Sequence, residues 1–291
     1  PFYSEKMCRI AEGEYGGPSF WRALSASEDP IHRAALAIID IAFWDGITKL
    51  AGISLKRFIK NKKKSVEVYG TTGWISLTDD ELLAECDAYR ALGVKGFKVR
   101  LGRADDAARL RKLRAHVGAD FHLMADANMR YDGEDHLPHL ADLKEFNLKW
   151  IEEPLNQNDL PHYRALKNVL PTDIALGENL FNFDTFEMLL KSGLISVIQP
   201  DLLRCGGISG LLYVMHLAEK YDVSICNHLL APLTATVISR SSKAVFIEYD
   251  NLLPLEFFKN DFSIKNGHLT LPTVPGVGTA LNDKEIRTSL C

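Results

Sequence analysis

The sequence predicts a (β/α)8 barrel of the TIM type. Short apolar runs with the composition of strands alternate with amphipathic segments along most of the chain, at a spacing of roughly 25 residues. Eight such runs are present, at 66–74, 94–100, 121–127, 148–154, 173–178, 195–201, 222–228 and 244–250. Eight successive βα units are the repeat of a closed parallel barrel.

A doubly wound open sheet is the structural alternative, because it also alternates strands with helices. Such a sheet usually carries a glycine-rich phosphate-binding turn after an early strand. The sequence has no such turn after the runs 66–74 and 94–100. The closed barrel is therefore favoured.

The segments on either side of the predicted barrel have a different pattern. Asp29 and Pro30 supply an N-cap and a first-turn proline, residues 31–50 keep apolar residues at helical spacing, and Gly52 stands at the expected stop. These signals predict one long, mostly buried helix. From about Asn251 the chain contains a possible strand pair around FSIKNGHLTL and is expected to leave the barrel.

Composition limits the classes of function. The chain has 291 residues with a net charge of −4, and neither this charge nor the short basic run 60–64 gives a reason to expect nucleic acid. No apolar run approaches the roughly 18 to 20 residues needed to span a membrane. Five widely spaced cysteines without a CxxC pair predict neither a disulfide framework nor a structural metal site. A reducing, cytoplasmic setting is expected.

Ionisable residues stand at the ends of the predicted strands. Catalytic groups of such barrels lie at the carboxyl ends of the strands, and burying a charge is costly unless it is paired or binds metal. From the second strand to the eighth these residues are Lys98 with Arg100, Asp126, Glu152 with Glu153, Glu178, Asp201, His228 and Glu248. A functional site at this end of the barrel is therefore predicted.

Three of the strand-end residues predict a metal site. Asp126, Glu152 and Glu178 are separated by equal intervals of 26 residues. Adjacent strands lie roughly 4.8 Å apart, so the three carboxylates can converge on one hard cation, for which Mg²⁺ is the natural choice. Any one of these acids could instead cap a helix or pair with a lysine, but three in phase favour the metal.

Asp201 and His228 predict an acid/base pair on neighbouring strands. Asp201 could accept the ring proton of His228 and raise the basicity of the other ring nitrogen. A histidine considered alone is more often structural. The pair would lie across the barrel from the second strand.

Seven motifs together resemble the enolase superfamily, in particular its mandelate racemase-like group. They are FKVR, MADAN, WIEEP, ALGEN, QPDLLRCGGIS, NHLLAP and FIEYD. The resemblance implies that the three carboxylates bind Mg²⁺ and that Asp201 and His228 form the catalytic dyad. It further implies that Glu248 hydrogen-bonds the substrate carboxylate oxygen on which charge develops, and that Asn128 lies beside metal and substrate.

The resemblance also implies a domain division. Residues 65–250 would form the barrel, and residues 1–64 and 251–291 would be parts of an α+β capping domain. The chain begins without methionine and reads like the middle of a protein. The opening strands of the capping domain, with a loop that closes over substrate in this family, are therefore expected to be absent from it.

The sequence departs from the family at one catalytic position. The family motif on the second strand is K-x-K, and its second lysine is the base on the face opposite the histidine. Arg100 stands there, and an arginine is a poor proton acceptor because it stays protonated. Lys98 would polarise the substrate carboxylate.

We therefore expect a magnesium-dependent dehydratase that converts a sugar acid to a 2-keto-3-deoxy acid, with proton transfer led by His228. A racemase or epimerase of 2-hydroxy acids is one alternative, although it needs a base on each face. A barrel that binds an acid without turnover is another. The expected partner is a small carboxylate, with no nucleic acid or membrane, and a homo-oligomer is expected.

Overall fold

The computed structural model describes residues 29–131, 137–259, 262–282 and 284. Parts of the predicted segments 1–64 and 251–291 therefore lie outside the described residues. Cys8 and Cys291 also lie outside them. Cys86, Cys205 and Cys226 are buried free thiols. Among the described residues no helix is both long and apolar enough to cross a membrane.

Each of the eight predicted runs overlaps one strand. The strands are β1 Ser65–Thr71, β2 Gly96–Arg100, β3 His122–Asp126, β4 Leu148–Glu152, β5 Asp173–Leu176, β6 Val197–Ile198, β7 Ser224–Ile225 and β8 Ile247–Tyr249. They pair in parallel in chain order from β1 to β7, and β8 pairs with β1. A bridge from Ile225 to Ala244 joins β7 to the residues before β8. The predicted TIM-type barrel is confirmed.

On the outside of the barrel, two of the described helices precede β1, and one helix follows each strand from β1 to β7. They are α1 Pro30–Leu50, α2 Leu55–Phe58, α3 Asp79–Ala91, α4 Asp106–Val117, α5 Leu137–Asp142, α6 Leu160–Val169, α7 Phe183–Lys191, α8 Gly207–Lys220 and α9 Ala231–Ile238. Local sequence explains where they begin: in α3, Thr78 and Glu81 form a reciprocal capping box. One-turn 3₁₀ helices cover Leu143–Phe146 and Leu255–Phe257.

Strand alternation separates the packed interior of the barrel from its functional end. Tyr69 on β1 and Trp150 on β4 pack edge to face inside the barrel, with ring centroids 5.5 Å apart. Successive side chains of a strand point to opposite faces, so Glu152 shares the inward face of Trp150 one layer higher. Asp126 bears the same relation to the buried Met124. The acids therefore lie directly above a layer of packed apolar side chains inside the barrel.

The helix α1 is where the prediction of burial is wrong. Asp29 caps it as expected, and Gly52, at φ +67°, follows its end. The face that packs on α8 is buried, but five apolar side chains elsewhere on the helix are exposed. They are Ile31, Ile38, Ile39, Phe43 and Leu50. Apolar residues are distributed around the whole helix, whereas within the described residues only one of its faces packs against the barrel.

The strand pair predicted near the C-terminus is present as β9 Ile264–Lys265 and β10 His268–Thr270. The hairpin lies outside the closed ring of eight parallel strands, but it stays attached to the barrel, because β10 pairs antiparallel with the first half of β1. Beyond it, Val277 donates its backbone N–H to Asp45 of α1 at 3.0 Å. The assignment of these parts to a capping domain stays a prediction.

Candidate active site

Three buried carboxylates converge at the carboxyl ends of β3, β4 and β5. Asp126, Glu152 and Glu178 each offer one oxygen, and these oxygens lie within 4.8 Å of one another. Glu152 Oε1 and Glu178 Oε2 are buried without a hydrogen-bond partner. Burial and the nearby Asp126 raise the pKa of Glu152 well above its usual range. Oxygen ligands with unused lone pairs suit a hard divalent cation, so the residues fit the predicted metal.

Lys98 lies among the carboxylates. Its Nζ is 2.5 Å from Glu152 Oε2, 2.7 Å from Glu248 Oε1 and 3.4 Å from Asp126 Oδ2. Although burial lowers the pKa of Lys98, these acids raise it well above the usual value. Lys98 is therefore an ammonium ion, able to donate to an anionic substrate.

Arg100 is paired on the same face of β2. Its Nη1 forms an ion pair with Asp126 and donates to Asn128 Oδ1 at 2.6 Å. The guanidinium carbon lies 5.2 Å from the centroid of the Trp74 ring. Although burial lowers the pKa of Arg100, Asp126 and the other acids raise it above the usual value. Arg100 is held protonated, which agrees with its expected inability to accept a proton.

Asp201 and His228 are joined at the ends of β6 and β7. His228 Nδ1 is 2.8 Å from Asp201 Oδ2, and His228 Nε2 is 3.3 Å from Glu178 Oε2. Burial lowers the pKa of His228, but the hydrogen bond to Asp201 and the charge of Glu178 raise it above the usual value. One nitrogen is therefore held by Asp201, and the other faces the three-carboxylate group.

Glu248 is ionised in this arrangement. Although burial raises its pKa, Lys98 and His228 lower it to about 2. Its Oε2 accepts the backbone N–H of Leu229 at 3.0 Å. An ionised carboxylate only accepts hydrogen bonds, whereas hydrogen bonding to a substrate oxyanion requires it to donate. That role of Glu248 stays a prediction, and it requires a proton that Lys98 disfavours here.

Sequence reasoning missed several polar neighbours of these groups. Asn227 brackets Glu248, because its Oδ1 accepts the Glu248 N–H at 2.8 Å and its Nδ2 donates to the Glu248 carbonyl at 3.1 Å. Arg204 and Asn179 contact the residues around Glu178. Asn227, Arg204 and Asn179 lie within the motifs NHLLAP, QPDLLRCGGIS and ALGEN, respectively. Their position inside these motifs could have identified them as neighbours of the site. Glu153, beside Glu152, is not one of the three converging carboxylates, and it accepts a hydrogen bond from Asn179 Nδ2.

The fold and the site define a barrel with a buried carboxylate centre, suited to a divalent cation, beside a histidine–aspartate pair. The family model described as enolase C-terminal domain-like matches residues 81–285. The chain belongs to the enolase superfamily, in its mandelate racemase-like group.

Curated relatives of the chain include proteins named as dehydratases. The chain is 31% identical over 272 residues to L-talarate/galactarate dehydratase of Salmonella typhimurium, covering 92% of this chain and 68% of that protein. It is 28% identical over 262 residues to arabinonate dehydratase of Saccharolobus solfataricus, covering 86% of this chain and 70% of that protein.

Solved structures agree on the fold. L-talarate dehydratase from Polaromonas sp. JS666, complexed with Mg and L-glucarate, matches with a TM-score of 0.81 at 29% identity, over 92% of this chain and 75% of that one. A racemase from Streptomyces coelicolor A3(2) with bound magnesium matches with a TM-score of 0.82 at 27% identity, over 88% of this chain and 72% of that one.

Proposed function

We propose that the protein is a magnesium-dependent hydro-lyase that dehydrates a sugar acid to a 2-keto-3-deoxy acid. The observation that carries this proposal is the asymmetry of the site. A histidine–aspartate pair faces the carboxylate group from β6 and β7, whereas the family's second base is replaced on β2 by Arg100, which is held protonated.

Asp126, Glu152 and Glu178 would hold the Mg²⁺. Bound there, the ion would offset the negative charge that develops on the substrate carboxylate when the α-proton leaves. Lys98, an ammonium ion among the same acids, would donate a hydrogen bond to a carboxylate oxygen of the substrate. Asn128, which is held by Arg100, would lie beside the substrate.

In the proposed reaction His228 would move the protons. With Nδ1 held by Asp201, its Nε2 would accept the proton from the α-carbon, and the electrons of the C–H bond would pass into the enediolate. Loss of the β-hydroxyl then breaks the C–O bond, and the imidazolium can supply the proton that turns the leaving group into water. The resulting enol becomes the 2-keto-3-deoxy acid.

Racemisation is the second candidate, favoured by the structural likeness to a protein named as a racemase. It needs a proton acceptor on both faces of the α-carbon, and Arg100 is unsuited to that task. Exchange of the α-proton with solvent deuterium in both epimers, without loss of water, would support racemisation. Binding of acids without turnover remains the non-catalytic alternative.

The test is a panel of aldonic and aldaric acids incubated with the protein and Mg²⁺, followed by detection of 2-keto-3-deoxy acids. We expect turnover with at least one acid and none after removal of the metal. His228→Asn should abolish turnover but retain Mg²⁺ binding. His122→Asn, at the opposite end of the barrel on β3, is the matched control and should retain turnover. Absence of product with every acid contradicts the proposal.

The remaining expectations accompany this function. A small carboxylate of the sugar-acid class is the proposed partner. A cytoplasmic setting and assembly into a homo-oligomer stay predictions, as do the domain boundaries at residues 64 and 250.

A further inference from the structure

Three polar side chains form a chain of hydrogen bonds just outside the carboxylate group. They are Arg204, Asn179 and Glu153, and we call them the brace. Arg204 Nη1 donates to the carbonyl of Glu178 at 2.9 Å and to Asn179 Oδ1 at 2.6 Å. Asn179 Nδ2 donates to both carboxylate oxygens of Glu153, at 2.9 Å each. The brace thus connects the loop after β6 with the ends of β5 and β4.

Each member of the brace lies next to a group of the site. Glu153 follows Glu152 in the chain, and Asn179 follows Glu178. Arg204 donates its backbone N–H to Asp201 Oδ1 at 2.9 Å, and the other oxygen of Asp201 holds His228. Arg204 therefore contacts the dyad through its main chain and the metal-binding strand ends through its side chain.

The backbone at Glu153 needs such support. Its φ is +40°, a left-handed conformation that is unfavourable for a residue with a side chain. The side chain is fully buried and lies among acids, and its hydrogen bonds are to the one amide of Asn179. The conformation persists only if surrounding contacts determine it.

The hydrogen bonds of the brace do not involve Glu152 Oε1 or Glu178 Oε2. Arg204 Nη1 is 3.7 Å from Glu178 Oε1, whereas Glu178 Oε2 and Glu152 Oε1 are buried without hydrogen-bond partners. Groups that fix the orientation of a ligand without occupying its free lone pair are the outer partners that tune metal affinity. We propose that Arg204 is a positioning residue, which through Asn179 and Glu153 sets the geometry of Glu152 and Glu178 for Mg²⁺. This inference rests on the proposed function in one respect, namely that the bound metal is Mg²⁺.

The first experiment measures Mg²⁺ binding by calorimetry without substrate. Arg204→Met should raise the dissociation constant about 10- to 100-fold, and Arg204→Lys, which keeps one donor group, should have an intermediate effect. At saturating Mg²⁺, kcat should fall by a smaller factor than the Mg²⁺ affinity does, because the hydrogen bond from the backbone N–H of residue 204 to Asp201 is retained in these variants. Arg114→Met is the matched control: Arg114 donates to the carbonyls of Phe146 and Phe121, at the other end of the barrel.

A purely structural role predicts a different result. In that case Arg204→Met and Arg114→Met would lower the melting temperature, and both would leave the Mg²⁺ dissociation constant unchanged. That outcome in the folded Arg204→Met or Arg204→Lys variant overturns the brace. Wild-type protein that binds Mg²⁺ but turns over no acid contradicts the proposed function alone. Wild-type protein with no affinity for Mg²⁺ overturns both.

A double-mutant cycle tests the connection itself. If Arg204 acts through Asn179, the combination of Arg204→Met with Asn179→Ala should weaken Mg²⁺ binding little more than the stronger single substitution. If the two fold-changes multiply, the residues act independently, and the proposed chain of hydrogen bonds is wrong.

Discussion

His228 Nδ1 lies 2.8 Å from Asp201 Oδ2 and the opposite ring nitrogen lies 3.3 Å from Glu178 Oε2. One imidazole therefore connects Asp201 to the three-carboxylate group. Asp201 is itself fixed by the backbone N–H groups of Leu203 and Arg204. This geometry gives His228 a defined orientation before substrate arrives, and it makes the role of Asp201 testable separately from that of His228.

Asp201→Asn should lower kcat by roughly 10²- to 10⁴-fold, the usual contribution of a positioned acid or base. An asparagine can no longer stabilise the imidazolium that forms on proton transfer. The measurement is steady-state kinetics on the substrate found in the acid panel. Asp222→Asn is the control, because Asp222 pairs with Lys243 at the surface. An unchanged kcat in Asp201→Asn would remove Asp201 from the mechanism.

Arg100→Lys should restore a proton acceptor on the face of the substrate opposite His228. Lysine can lose its proton when it is buried, whereas arginine cannot. We expect this variant to catalyse solvent exchange of the α-proton in an epimer that the wild-type protein leaves unexchanged, as measured by proton NMR in deuterium oxide. Exchange in both epimers by the wild-type protein would refute the assignment of one-sided proton transfer.

Asp40 should make stability depend on pH. Burial raises its pKa to about 7, although hydrogen bonds from Ser209 lower it. The folded protein therefore retains a proton that the unfolded chain has lost between about pH 4 and 7. The free energy of unfolding should fall across this interval, by up to about 4 kcal/mol, and the loss should be complete above pH 7.

Asp40→Asn supplies the comparison for that pH effect, because it does not titrate. Denaturant unfolding of both proteins from pH 4 to 8 gives the difference in unfolding free energy, wild type minus variant. That difference should decrease as pH rises. A difference that is constant or increases with pH contradicts a raised pKa at Asp40.

The two faces of α1 should respond differently to truncation. Trp44 is fully buried, donates to Ser209 Oγ at 2.9 Å and packs edge to face against Phe58. Trp44→Ala should lower the free energy of unfolding by about 3–5 kcal/mol. Ile38 is 59% exposed, so Ile38→Ala should change it by less than about 0.5 kcal/mol. A large loss in Ile38→Ala, measured by denaturant unfolding, would show that this face is covered in solution.

The periodicity of apolar residues predicted the strands of the barrel, but it did not predict which side chains of α1 are exposed. The eight strands could be located because alternating apolar runs depend on neighbouring residues alone. The exposure of Ile38 and Phe43 could not, because it depends on which face of α1 meets the barrel. The same reason accounts for the hairpin at β9 and β10, whose pairing with β1 joins residues distant in the chain.

At the site, the chemical set could be read from the sequence alone: three strand-end carboxylates, a histidine with its aspartate, and an arginine where its family places a base. Strand alternation is regular enough to direct Asp126 and Glu152 to one side of the sheet. The interactions among these residues and their neighbours came from the folded structure, such as the ionisation of Glu248 by Lys98 and the hydrogen bonds that run from Arg204 to Glu153. Charge interactions and hydrogen bonds depend on distances of a few ångströms between residues remote in sequence, and only the folded chain defines those distances.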